Sequence, residues 1–340
     1  MRGNTLYHFS NAAVLSVEFE DAPIVVTSDE IDAQLAPIYE RLGMRPGMLE
    51  NVAGVRERRW WPEDVTFEDA ATLAGEKALV ASGIPRDRIG LLINTSVSRA
   101  HLEPSAAVAV HRRLGLPTSA MNFDLSNACL GFVNGMHLAA TLIDAGQIDY
   151  ALIVDGEGSR QPQERTIARL LAGEPTAEDM FENFATFTLG SGGTAMVIGR
   201  ADENPQGHRI VGGVARAASQ HHTLCVGDLN EMRTDTRALF EAGLELSEDA
   251  WKEALGDFDW AEMDHYIIHQ VSLVHTAAIC RRLGFAQDRA PLTFPNRGNI
   301  GPASVPYTLA VHAENISVGD RVIAMGIGSG LNVSALEIIW

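Results

Sequence analysis

Cys129 stands in Ser126-Asn127-Ala128-Cys129-Leu130-Gly131, where a strand-like run gives way to a helix-like one. The start of a helix offers free N–H groups and a partial positive charge, and both favour thiolate over thiol. A free cysteine can equally be a small buried hydrophobe, which is how Cys280, inside a helical stretch, reads. His269 ends the apolar run Tyr266-Ile267-Ile268-His269-Gln270, at the strand edge where open α/β sheets place their sites. Asn299 lies in Gly298-Asn299-Ile300-Gly301-Pro302, a context that also suits an ordinary turn. A thiol grouped with a histidine and an asparagine is a constellation for thiol chemistry. Ser329, within the glycine turn Ile327–Gly330, could offer a backbone N–H to a developing oxyanion. Glu103 precedes a proline.

These residues are far apart in the chain, and an internal repeat explains how they could meet. The run Ile89–Ser98 is followed by a helix ending in Arg112-Arg113-Leu114-Gly115. Tyr266–Ser272 is followed by a helix ending in Arg281-Arg282-Leu283-Gly284, an offset of 169 residues. Asn122–Phe132 opens a helix that leads to the strand Asp149–Ser159, and Thr293–Ser304 opens one that leads to the strand Asp320–Gly330. Cys129 and Asn299 are 170 residues apart, and Tyr150 and Arg321 are 171 apart. Strand–helix–strand units in two matching halves predict a mixed sheet covered by helices, an α/β fold. The halves divide as residues 1–205 and 206–340. A pseudo-two-fold axis between them would bring Cys129, His269 and Asn299 to one crevice. Two additions break the symmetry: a few residues around Glu103-Pro104, and an insert over about 160–187 with helix-like spacing. Thr27 and Thr66, each followed three residues later by an acid, predict helix starts for 29–42 and 67–82.

Composition bounds the rest. A chain of 340 residues, 46% hydrophobic and 21% charged, can bury a large core. A net charge of −18 argues against nucleic acid, whose phosphates need a basic surface. It also weighs mildly against an acidic partner such as an acyl carrier protein. Three cysteines suit a reducing compartment and a cytoplasmic location, and no pair has metal-ligand spacing. The longest stretch without Asp, Glu, Lys or Arg, Leu125–Ile143, is too polar for a membrane span, and no signal peptide is readable. The glycine clusters do not match nucleotide-binding spacing, so no cofactor is expected.

With these residues in place, the sequence resembles the thiolase superfamily along essentially its whole length, in its ketoacyl synthase III-like branch. The run INTSVSR, HLEPS, NACLGFVNGM, IHQVS, GNIGPASVP and GIGSGLN is most similar to the OleA-type enzymes, which join two long-chain acyl-CoAs head to head. The resemblance implies a thiolase fold, two duplicated halves in a five-layer αβαβα arrangement. It implies that Cys129 accepts the first acyl chain, that His269 and Asn299 bind the thioester carbonyl, and that Ser329 helps form the oxyanion hole. Glu103 would be the base for the second acyl-CoA, acting in the site of the neighbouring subunit of a homodimer. The role implied is non-decarboxylative Claisen condensation to a 2-alkyl-3-ketoacyl-CoA or β-keto acid. That is the first step of olefin or β-lactone formation, with downstream pathway enzymes as further partners. In related enzymes the region of Arg56, Arg58, Arg59 and Trp60 often contacts CoA.

Two departures sharpen this. An ordinary ketoacyl synthase III has a basic residue soon after its His-Gln pair, whereas Gln270 is followed by Val271-Ser272-Leu273-Val274. A biosynthetic thiolase has a second catalytic cysteine near its C-terminus, where this chain has Gly326–Gly330; the Cys225-Val226-Gly227 triplet lies too early to match it. The alternative activity is a decarboxylating 3-oxoacyl-ACP synthase III using a malonyl thioester. A malonyl substrate forms its carbanion by losing CO2, whereas a plain acyl-CoA needs a base at its α-carbon. Glu103 is the residue that separates the two readings. Apolar surfaces of the 160–187 insert are expected to line acyl channels.

Overall fold

A computed structural model of the chain describes residues 6–227 and 231–340. The strands of the first half are β1 (Leu6–His8), β2 (Ala12–Asp21), β3 (Ile24–Thr27), β4 (Glu57–Trp60), β5 (Ile89–Asn94), β6 (Met121–Asp124), β7 (Tyr150–Glu157) and β8 (Gly192–Arg200). Those of the second are β9 (His208–Ala217), β10 (Cys225–Gly227), β11 (Met232–Thr234), β12 (His265–Ile268), β13 (Arg321–Gly328) and β14 (Asn332–Ile339). The main sheet runs β12-β13-β14-β9-β2-β8-β7-β5-β6, with β1 beside β9.

The repeat is visible in that order. From its centre the first half runs β2-β8-β7-β5 and the second β9-β14-β13-β12. In both, the neighbours pair antiparallel, antiparallel and then parallel. The halves join where Ala13 and Val14 pair with Arg209 and His208. β6 extends the first half beyond β5, and among the described residues no strand extends the second beyond β12.

Burial explains the apolar strands. β7 is buried at every position, as a strand covered on both faces must be. Helix Gly131–Asp144 touches β2, β7 and β8 of the first half and β13 and β14 of the second, and helix Ser304–His312 touches β2, β8, β12 and β13. These two helices form the central layer. Helix Phe67–Ser82 covers the outer face of β2, β7 and β8, while Thr236–Ala254 covers β9 and β14 with Leu273–Leu283 packed beside it. The result is five layers, αβαβα. One core joins Leu91 and Ile153 of the first half to Ile267, Ala324 and Leu336 of the second through Phe132, Met136 and Leu309.

Local signals behave as their chemistry predicts. Thr27 and Thr66 form reciprocal capping boxes with Glu30 and Asp69, starting helices Ser28–Leu42 and Phe67–Ser82. The insert is three helices, Arg160–Ala172, Ala177–Glu182 and Phe184–Thr188. Its Ile167, Leu170, Met180 and Phe187 pack against Ile31, Leu35, Ile38 and Trp60. Those apolar side chains therefore close the insert onto helix Ser28–Leu42.

The shared central layer makes a direct prediction. Leu309 is fully buried between the halves, so Leu309→Ala should cost about 2–5 kcal/mol. Thermal unfolding of the variant against the parent measures the loss.

Candidate active site

Cys129 sits in a tight turn between β6 and helix Gly131–Asp144. Ala128, just before it, has φ 45°, a left-handed conformation that is costly for a residue with a Cβ. The turn is held from several sides. Leu130 N–H donates to the Asn127 carbonyl and Gly131 N–H to that of Ala128. The Asn127 side chain donates to Asn134 Oδ1 at 2.7 Å and accepts from Asn332 Nδ2 at 3.0 Å. Gly131 lets the helix start approach the end of β5: a Cβ there would lie 2.9 Å from the Thr95 carbonyl oxygen.

The turn's electrostatics differ from the simple expectation. The residue keeps partial accessibility, yet protein crowds round it, and burial pushes the Cys129 thiol up to about 12. Electrostatic coupling to Cys225, Glu157 and Asp155 adds to this, and only the turn's own backbone N–H opposes it. The helix start is present, but its pull on the thiolate is outweighed by desolvation. The β10–β11 hairpin thus brings Cys225 within electrostatic reach of Cys129, which its sequence position did not suggest.

His269 follows β12 and is 3% exposed, its backbone N–H donating to Met325 of β13. Burial and the neighbouring His275 lower its pKa to about 3, so the ring is neutral. Its Nδ1 has no partner among the described residues. Gln270 fixes the segment by donating to Pro291 O at 2.6 Å and accepting from Thr293 N–H at 2.9 Å. Asn299 lies in a loop tied to the first half: its N–H donates to Thr188 O, and its carbonyl accepts from Gly190 N–H. Its Oδ1 accepts from Gly301 N–H at 3.0 Å. Arg297 anchors the same loop through Asp21, with contacts of 2.8 and 2.9 Å. Gly298, at φ 68°, packs against Thr188 and Leu189. Ser329 follows β13, whose Gly328 lies against the nucleophile turn, and the next peptide, Gly330–Leu331, is cis.

Glu103 lies in the loop between β5 and helix Ala106–Arg113. Residues 101–104 are exposed in the single chain, and the Glu103–Pro104 peptide is cis. The Asp124 carboxylate anchors the far end of this loop, accepting from the N–H groups of Ala106 and Ala107 at 3.0 and 2.9 Å. Glu157 anchors the near end, accepting from Val97 N–H and Ser98 Oγ, each at 2.6 Å. Gly301 also faces Glu157. Sequence reasoning missed Glu157 and Asp155. They stood in a quoted strand, and an acidic strand end carries no signal of burial.

The candidate CoA contacts separate by exposure. Arg56 is exposed and donates to Asn296 of the Asn299 loop at 2.8 Å. Arg59 is half-buried near Glu57. Trp60 is 9% exposed, its Nε1 donates to Gln163 of the insert, and the Arg160 guanidinium covers its ring. That leaves the indole little open face for CoA, against what the resemblance implied for Trp60. Arg58 is wholly buried, donating to Val26 O, Ser28 Oγ and Phe187 O. Its role is to bind the insert to β3 rather than to hold a phosphate. Among the described residues, no group of three His, Cys, Asp or Glu could hold a metal ion, and no helix is long and apolar enough to cross a membrane.

Similarity to known proteins follows the same lines. Residues 123–172 match the 3-oxoacyl-[acyl-carrier-protein (ACP)] synthase III family, and residues 256–340 match its C-terminal region. Over 336 residues the chain is 44% identical to the acyl-CoA:acyl-CoA alkyltransferase of Xanthomonas campestris pv. campestris, covering 98% of this chain and 99% of that one. A second acyl-CoA:acyl-CoA alkyltransferase, from Shewanella oneidensis, is 33% identical over 348 residues, with 98% and 99% covered. The fold superposes on cerulenin-bound Xanthomonas campestris OleA with a TM-score of 0.95 and 43% identity over 98% of each chain. It matches a variant of that protein with bound lauric acid and lauroyl-CoA equally, at TM-score 0.95 and 43% identity over 98% of this chain and 100% of that one. The chain belongs to the acyl-CoA:acyl-CoA alkyltransferase family, OleA-type acyltransferases built on the thiolase fold.

Proposed function

We propose that the protein condenses two long-chain acyl-CoAs without decarboxylation, with Cys129 as the acyl-accepting nucleophile. The observation that carries the reading is the nucleophile turn, where Cys129 follows a left-handed Ala128 and its neighbours Asn127 and Leu130 pack against the strand that leads to Ser329. The names of the relatives, similar over nearly the whole chain, support it.

The Cys129 sulfur attacks one acyl-CoA, its bond to the acyl carbon forms, and the carbon–sulfur bond to CoA breaks. A thiol held neutral delivers its proton to the departing CoA sulfur, so no free thiolate is needed first. His269 and Asn299 donate hydrogen bonds to the carbonyl of the second thioester. A neutral histidine suits that task, because it can donate without bringing a charge to be neutralised. Glu103 of the partner subunit takes the α-proton of the second acyl-CoA. The resulting enolate carbon attacks the Cys129-bound carbonyl, whose oxyanion is held by backbone N–H at Ser329. A carbon–carbon bond forms, Cys129 leaves, and the product is a 2-alkyl-3-ketoacyl-CoA, or a β-keto acid after hydrolysis. This is the opening step of an olefin or β-lactone route, in the cytoplasm, with downstream enzymes consuming the product. A malonyl thioester route is not favoured, since Val271-Ser272-Leu273-Val274, directly after Gln270, hold no base to receive a carrier protein.

The homodimer is supported by the surface around Glu103. β6 is a sheet edge, and Met121 is 51% exposed, Val97 49%, Val108 46% and Leu102 86%. An open edge with exposed apolar side chains favours strand pairing. For CoA, the exposed Arg56 and the half-buried Arg59 are the residues assigned to phosphate.

Two outcomes test this reading. Glu103→Ala should lower condensation of myristoyl-CoA about 100-fold or more, while radiolabelled acyl-CoA still labels Cys129; undiminished product would sink it. Because the Cys129 thiol is raised to about 12, it is protonated at neutral pH in the free enzyme. Its alkylation by iodoacetamide, followed by peptide mass spectrometry, should rise roughly tenfold per pH unit from pH 7 to 9 without a plateau.

A further inference from the structure

Asp155 and Glu157 are two residues apart in β7, so their side chains share a face. Both are buried, and each lies within electrostatic reach of the other and of Cys129. Burial and the charge of Glu157 raise the Asp155 carboxyl well above the usual range. Two facing carboxylates cannot both be ionised at such a distance from water, so one proton is shared. The partners decide where it sits. Burial raises the Glu157 carboxyl to about 7, and the N–H and O–H donors from Val97 and Ser98 oppose that rise, so of the two acids Glu157 is the one that ionises more readily. Asp155 Oδ2 accepts from Thr95 Oγ1 at 2.5 Å, while Oδ1 has no protein donor. A proton on Oδ1, donated to Glu157, satisfies that orphan.

We propose that Glu157 is a positioning residue for the condensation step: its carboxylate fixes the start of the Glu103 loop, and Asp155 serves it as a neutral hydrogen-bond donor. Asp124 holds the loop's other end at Ala106 and Ala107. Between the two carboxylate staples the chain crosses from the sheet to the exposed Glu103 in a few residues. Gly301, two residues after Asn299, lies 3.6 Å in Cβ terms from Glu157 Cδ. Glu157 therefore sets the base-bearing loop and the carbonyl-binding loop against one carboxylate. This inference rests on Glu103 acting as the base.

The test separates the two half-reactions in purified full-length enzyme. Glu157→Gln keeps the side chain's shape but turns one acceptor oxygen into a donor that faces the donors of Ser98. It should lower condensation of myristoyl-CoA about tenfold or more, since small displacements of a catalytic group are costly. Acylation of Cys129 by radiolabelled myristoyl-CoA should stay within about threefold. Asp155→Asn supplies the same neutral donor and should cost at most about threefold in condensation. If Glu157→Gln does not fold, Ser98→Ala removes one of the same hydrogen bonds and should lower condensation selectively. The proposal is overturned by equal losses in both half-reactions, by undiminished condensation, or by Asp155→Asn being as damaging as Glu157→Gln. A parent enzyme that is acylated yet condenses nothing would overturn the functional reading instead.

Discussion

The nucleophile turn is wedged between two halves that leave it no room. A Cβ on Gly328 would lie 2.6 Å from the Asn127 carbonyl oxygen, and one on Gly326 would lie 2.7 Å from Leu130. Two glycines of β13 thus let the second half's strand press directly on the first half's turn. Close packing of this kind is rigid because interiors are dense. It fixes the helix start after Cys129, the direction of the sulfur and the path of the Ser329 loop together. The left-handed Ala128 persists because these contacts over-determine it.

That constraint also explains the electrostatics. Packing from both sides desolvates the groups that face inward, so the thiol, His269 and Asp155 all favour their neutral forms. Glu157 is raised less, to about 7, because Val97 and Ser98 donate to it, so it is the acid of the pair that takes on charge as the pH rises through neutrality. Chemistry in such a site is best done by transferring protons between neutral partners, with hydrogen bonds aimed at the carbonyl oxygens where charge develops.

Much of this was legible from the sequence, for a physical reason. A duplicated fold repeats its apolar runs and turn residues at a fixed offset, so the two matching halves and their mixed sheet followed from Arg112, Arg281, Cys129 and Asn299, while the strand order is seen only in the fold. Capping boxes at Thr27 and Thr66 were legible because they are local. What was not legible depends on distance through space. The burial that overrides the helix start at Cys129 comes from elements more than a hundred residues away. Trp60 reads as an exposed aromatic beside arginines, and only the insert's Gln163 and Arg160 show that it faces inward. Cys225 looks remote in the chain until the β10–β11 hairpin is placed. Asp155 and Glu157 resemble any polar strand end.

The repeat is unequal at its rim, where β6 prolongs one half and nothing described prolongs the other beyond β12. β12 is itself buried along Tyr266–Ile268, whereas β6 is exposed at Met121 and half-buried over Asn122–Asp124. A chain with two equal open edges could join head to tail and grow into filaments. One with a single open edge can pair that edge only with its own copy, about a two-fold axis, and the pairing uses the edge up. The lost symmetry between the halves is thus what would limit self-association to two chains.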